Sequence, residues 1–380
     1  MRLVDRIAKP GPKKILALDG GGILGMISVE ILAKIEDLLR RESRVGQEKG
    51  SAFVLADYFD FVAGTSTGAI IAACISLGMP VAKIRAFYLS SGKEMFDPAC
   101  ILKRLYCKYD DDNLSRKLKE EMGEATLLGD EKLRTLLMMV MRNATTDSPW
   151  PVSNNPRAKY NLATRRAGPL ADCNLDLPLW KLVRASTAAP TFFPPEVVEV
   201  GKKTFIFVDG GVTMYNNPAF QAFLMATVDP YKVQWETGSD KILLVSIGTG
   251  VNALANDKLK TTQMHLAYEL KTIIPALMFA AKNEQDFLCR VFGDCKTGLR
   301  LDNEIDDMIG RAGPTKDKLF TYMRYDADVT QAGLAGIGLP DIQCEQVQAM
   351  DSVEHVDKLQ RLGEAVAARD LRTEHYRPFL

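Results

Sequence analysis

The stretch Phe59-Asp60-Phe61-Val62-Ala63-Gly64-Thr65-Ser66-Thr67-Gly68-Ala69-Ile70-Ile71-Ala72-Ala73 decides the fold. Its first apolar run reads as a buried strand. The chain then meets a serine flanked by glycines, and a second apolar run reads as the first turns of a buried helix. Strand, sharp turn and helix with serine at the apex make a nucleophile elbow. Gly64 and Gly68 permit a strained turn that pushes the Ser66 hydroxyl out of the backbone, beside a helix N-terminus. The alternative is a glycine-flanked turn with an ordinary capping serine. The apolar runs on both sides argue against it.

A serine needs a base, and the chain has three histidines: His265, His355 and His375. None sits on a loop just after an apolar strand, so a carboxylate acting directly on the serine is the better candidate. Asp209 fits. It ends the apolar strand Phe205-Ile206-Phe207-Val208 and precedes Gly210-Gly211, which exposes its carboxylate at the rim of the sheet. Asp-Gly also signals a hairpin. However, Val212 to Asn216 does not resume an alternating strand, and Asn217-Pro218 looks like a helix start with Asn as cap and Pro in the first turn.

A third group lies near the start. The strand Lys13-Lys14-Ile15-Leu16-Ala17-Leu18 runs into Asp19-Gly20-Gly21-Gly22-Ile23-Leu24-Gly25. Ile27, Ile31, Ile35, Leu38 and Leu39 then recur at helical spacing. A glycine loop at a helix N-terminus presents backbone N–H groups to an anion, either a phosphate or the oxyanion of a tetrahedral intermediate. Gly20, Gly22 and Gly25 also match the dinucleotide fingerprint. That reading needs a second strand about twenty residues on that ends in an acidic residue. The charged stretch Arg40 to Gln47 supplies none.

Together these motifs resemble the patatin-like phospholipases. The family's glycine loop corresponds to Asp19 to Gly25, its serine motif to Gly64-Thr65-Ser66-Thr67-Gly68, and its Asp-Gly-Gly motif to Asp209-Gly210-Gly211. Arg184 to Pro190, with Phe193-Pro194-Pro195, and Ser246 to Gly250 extend the likeness. One position departs: Leu24 stands where the family usually has Arg or Lys. The resemblance implies a three-layer α/β/α fold with a central, mostly parallel sheet. It implies acyl-ester hydrolysis by a Ser66–Asp209 dyad with no metal and no cofactor. The oxyanion would be held by the loop glycines Gly20, Gly21 and Gly22 together with Thr67. The expected division is a catalytic domain over 13–250 and a mostly helical extension over 251–380, packed on it and regulatory. Some bacterial members resemble antiphage effectors switched on by a cyclic oligonucleotide. That implies such an activator, a transient phospholipid membrane surface and a homo-oligomer as partners. A constitutive lipase or thioesterase, or an idle binding module, is the alternative.

Composition agrees with an enzyme. Lysine plus arginine and aspartate plus glutamate both total 48 in 380 residues, so no bulk charge points to a nucleic-acid polymer. Lys103-Arg104 with Lys108, and Arg165-Arg166, read as solvated surface. With no apolar run of about 18 residues and no leader pattern at Met1 to Arg6, the expected location is the cytoplasm, acting on the inner membrane face. The seven cysteines lack zinc-pair spacing, which predicts reduced thiols. Further strands are expected at Leu136–Met141, Thr204–Val208 and Lys241–Ile247. Loops are expected from Asp147 to Pro156 and Pro190 to Pro195, and helices over Leu266–Phe279 and along the stripe Val353, Val356, Leu359, Leu362 and Val366.

Overall fold

The computed structural model describes residues 2–96, 113–162, 164, 172–190, 192–251 and 266–380. His265, Cys100, Cys107 and both basic clusters lie outside the described residues. Among the described residues nine strands form one sheet: β1 Lys13–Leu18, β2 Phe61–Thr65, β3 Leu136–Asn143, β4 Ser148–Ser153, β5 Glu196–Val200, β6 Lys203–Asp209, β7 Ile242–Ile247, β8 Asp294–Thr297 and β9 Thr321–Tyr325. Their order is β5-β6-β3-β2-β1-β7-β9-β8, with β4 also on β3. The run from β3 through β2, β1, β7 and β9 to β8 is parallel, whereas β4, β5 and β6 join antiparallel.

The central strands read as unbroken apolar runs because both faces are covered. Leu16, Leu18, Val62, Val245 and Ile247 point into one apolar layer, under the helices Gly25–Glu42, Thr67–Ser76, Val81–Phe96 and Leu179–Ser186. Ile15, Ala17, Phe61, Ala63 and Leu244 point into the other, under Ala219–Thr227 and the end of Leu266–Phe292. The expected three-layer α/β/α arrangement is present. The closing stripe also packs on its own protein: Leu359, Leu362 and Val366 are buried, and Gly363 lies against Ile27 and Glu30 of Gly25–Glu42.

Two local expectations need correction. The Asp147–Pro156 loop contains β4, where Pro149 and Pro151 pair in register with Arg142 and Val140. Among the described residues β4 pairs only with β3, and an edge strand tolerates residues without an N–H. The Asn217-Pro218 helix starts one residue later, at Ala219, with Asn217 Oδ1 accepting from Ala219 N at 3.1 Å. The stretch after Gly250 also supplies β8 and β9 to the central sheet.

β3 positions the chemistry. Its edge pairs first with β2, up to Thr65 opposite Val140. The next residue, Met141, pairs with Asp209 of β6. β4 already occupies the other edge at Met141, opposite Trp150, so β2 and β6 share one edge and meet there end to end. The residue that follows β2 and the last residue of β6 are thereby brought face to face.

Candidate active site

Those two residues are Ser66 and Asp209. Ser66 takes φ 54°, ψ −122°, a left-handed conformation that costs a non-glycine residue about 1–3 kcal/mol. Its surroundings hold it there. Ser66 N donates to Ser186 Oγ at 3.0 Å, and Ser186 Oγ donates to Val140 O at 2.5 Å. The Ser66 carbonyl accepts from Ala69 N and Ile70 N, which seats the turn on the helix Thr67–Ser76. Side chains at Gly64 or Gly68 would collide with backbone, at Gly68–Ala69 and at Leu18–Asp19 respectively, so the elbow closes only with glycine at both. Gly25 packs against Thr67 and Tyr88, and Gly210 against Val140 and Thr65.

Ser66 Oγ donates to Asp209 Oδ2 at 2.6 Å, and Gly211 N donates to Asp209 Oδ1 at 2.6 Å. Asp209 is buried. Burial pushes its carboxyl up to about 6, against the opposing pull of the Ser66 hydroxyl, the Gly211 amide and the Arg184 guanidinium. It therefore ionises just below neutrality, in the range suited to a general base. Among the described residues neither His355 nor His375 hydrogen-bonds to Ser66 or Asp209.

The glycine loop lies beside the pair. Gly22 has φ +59°, and a side chain there would strike Met350. Gly20 N donates to Asn216 O at 3.1 Å, which removes Gly20 from the four expected oxyanion donors. Among the described residues no hydrogen bond engages the N–H of Gly21, Gly22 or Thr67. Leu24 is buried in the apolar layer, so the loop carries no cation at that position.

Sequence reasoning missed what covers the pair. Ile23 N donates to Met350 O at 3.0 Å, so the segment around Met350 closes over the glycine loop. The space left over Ser66 and Asp209 is about 40 Å³, bounded by Gly22, Phe192, Phe193 and Met350. That is far below the several hundred Å³ of a typical substrate pocket. Ser186 was also missed as a holder of the elbow. Neither role has a signal in residue spacing, because both partners are distant in sequence.

The family model for patatin-like phospholipases matches residues 16–223, more than half of the chain. Patatin-17 of Solanum cardiophyllum is 30% identical over 63% of this chain and 61% of its own length. The 85/88 kDa calcium-independent phospholipase A2 of Mus musculus is 30% identical over 62% of this chain and 27% of its own. A cGAMP-activated phospholipase of Escherichia coli (strain TW11681) is 28% identical over 65% and 64%. The chain thus spans under two thirds of the length of these relatives. Elbow, rim carboxylate and glycine loop fall inside the matched span, and the chain belongs to the patatin-like phospholipase family.

Proposed function

We propose that the protein is a lipid acyl hydrolase of phospholipase A type that cleaves glycerophospholipid acyl esters by a Ser66–Asp209 dyad. The observation that carries this reading is the 2.6 Å hydrogen bond from Ser66 Oγ, at a strained elbow, to a buried carboxylate. Asp209 takes the Ser66 proton as Oγ adds to the ester carbonyl. The N–H groups of Gly21, Gly22 and Thr67 hold the oxyanion. On collapse, Asp209 returns the proton to the departing lysophospholipid oxygen, leaving an acyl-serine. Asp209 then deprotonates water, which adds to the acyl carbon; on collapse it returns that proton to Ser66 Oγ, so fatty acid leaves and the dyad is restored. Fatty-acid release from phosphatidylcholine vesicles that vanishes in a folded Ser66→Ala protein tests this. Release that persists refutes it.

The same reading makes the chain a switched enzyme, with 251–380 as its regulatory part. The observation favouring this is the narrow cleft: Met350 stands over Gly22, and the space of about 40 Å³ over the dyad is far below a typical substrate pocket. A relative is described as a cGAMP-activated phospholipase, which supports a cyclic oligonucleotide as activator; the family resemblance extends this reading to antiphage defence at the inner membrane face. No helix among the described residues is long and apolar enough to cross a membrane. Activation would require assembly or ligand binding to favour the open state by about 100-fold or more. Fatty-acid release with and without a panel of cyclic di- and trinucleotides tests the switch. High, ligand-independent release at low protein concentration leaves a constitutive lipase or thioesterase.

A further inference from the structure

The glycine loop has one charged handle. In Asp19-Gly20-Gly21-Gly22 the three glycines have no side chain to grip, and glycine backbone is costly to immobilise. Asp19 is gripped by Arg324 of β9, which lies outside the span matched by the family model. Arg324 Nη1 donates to Asp19 Oδ1 at 2.9 Å and to Ser246 Oγ at 2.7 Å. Arg324 Nη2 donates to Asp19 Oδ2 and to Asp326 Oδ2, both at 2.6 Å. All four Nη hydrogens are thereby used, in the planar fork that only a guanidinium offers. Lys282 Nζ adds a second cation 3.4 Å from Asp19 Oδ2 and donates to Gly250 O at 3.1 Å.

The cluster is charge-balanced: two carboxylates, Asp19 and Asp326, face two cations, Arg324 and Lys282. Asp19, Arg324 and Asp326 are 1%, 3% and 1% exposed, so water cannot replace a lost partner. Asp326 extends the grip to the facing turn by accepting from Gly250 N at 2.8 Å. That turn in turn holds the loop: Thr249 Oγ1 donates to Gly20 O at 2.8 Å, and Thr249 packs so closely on Gly21 that no side chain fits there. The grip therefore reaches Gly21 by two routes, directly through Asp19 and around through Asp326, Gly250 and Thr249.

We propose that Arg324 is a positioning residue for acyl transfer: through Asp19 and Asp326 it fixes the glycine loop so that the Gly21 and Gly22 N–H groups aim at the ester oxyanion. This rests on the hydrolase reading above. Arg324 touches neither substrate nor the dyad, so its loss leaves the base intact and misplaces the donors. A misplacement of about 1 Å is worth about 10²-fold in turnover.

The test compares full-length wild type with Arg324→Lys, which keeps the charge but not the fork. On a soluble p-nitrophenyl ester, kcat should fall about 10²-fold with KM nearly unchanged. Binding of a trifluoromethyl ketone, whose serine adduct places an oxyanion in the same site, should weaken by the same factor. The acid limb of the pH profile should stay in place, since Asp209 is untouched. Asp326→Asn removes one carboxylate from the cluster and should give a smaller loss of the same kind. It decides the matter if the lysine variant fails to fold. A folded Arg324→Lys or Asp326→Asn protein with wild-type kcat and wild-type ketone affinity, changed only in melting temperature, would make the cluster a stability element and overturn the proposal. Hydrogen exchange over residues 19–23 separates this from the hydrolase reading. Faster exchange in Arg324→Lys supports the grip even in a protein that cleaves no ester, and unchanged exchange overturns it.

Discussion

Replacing Asp209 with Asn tests the dyad twice, with opposite signs. Burial raises the carboxyl from 3.8 to about 6 in the folded protein. That difference of about two pH units corresponds to about 3 kcal/mol of differential interaction between the protonated and charged forms. For a carboxyl raised on folding, the folded state binds the proton more tightly, so stability falls as pH rises from about 4 through about 6. At pH 7 the charged group destabilises the fold by up to about 3 kcal/mol. Asp209→Asn removes the charge at nearly the same size, so it should raise the melting temperature at pH 7 and change it little at pH 4. The same substitution removes the base and should lower kcat by several orders of magnitude, about 10⁴ if it resembles a mis-tuned triad. In wild type the active fraction follows ionisation of Asp209. It is about nine-tenths at pH 7 and about one-tenth at pH 5, so kcat/KM on a soluble ester should fall about tenfold between them. A carboxyl left at 3.8 would lose under about a tenth of its activity over that interval. Stopped-flow ester hydrolysis from pH 4 to 8, with calorimetric melts of both proteins, measures all of this. Two results would refute the reasoning. One is an acid limb near pH 4. The other is a limb near pH 6 that disappears when His265, His355 and His375 are replaced together.

Three further predictions concern the surroundings of the dyad. Ser186→Ala deletes the hydroxyl between Ser66 N and Val140 O, and should cost about 1–3 kcal/mol in a chemical melt together with a measurable drop in kcat, because the elbow relaxes; unchanged turnover and stability would show the elbow holding itself. Gly22→Ala meets both a positive φ and Met350, so kcat should fall about 10²–10³-fold if one oxyanion donor is lost; retained hydrolysis with loss of nicotinamide-cofactor binding would restore the dinucleotide reading. Met350→Ala should enlarge the cleft over Ser66 and raise basal hydrolysis of a soluble ester several-fold without added ligand; if the rate does not rise, Met350 is not what keeps the site closed.

What the sequence made legible was local in character. The elbow, the glycine loop and the rim carboxylate each carry their own backbone logic within a few residues, so each could be placed before any contact was known. The apolar runs of β1, β2, β3 and β7 were readable because both of their faces are buried. β5, Glu196-Val197-Val198-Glu199-Val200, whose two glutamates fall on opposite faces, and β4, with its two prolines, carry weaker or contrary signals and hold their places through pairing with β6 and β3. The rest depends on contacts between residues far apart in the chain. By its sequence Gly20 is as good a donor as Gly21, but Asn216 O, distant in the chain, occupies its N–H. Arg324, Met350 and Ser186 matter through partners 305, 327 and 120 residues away, and no periodicity marks such pairs.

The most direct measurement is covalent. The purified chain is treated with a fluorophosphonate probe, the labelled peptide is mapped by mass spectrometry, and fatty-acid release is followed in parallel with Ser66→Ala. The account predicts one phosphonylated residue, Ser66, with label and hydrolysis lost together in the variant and both slowed below about pH 6, where Asp209 is protonated. Hydrolysis that survives in a folded Ser66→Ala protein, or label on another residue that tracks activity, would contradict it.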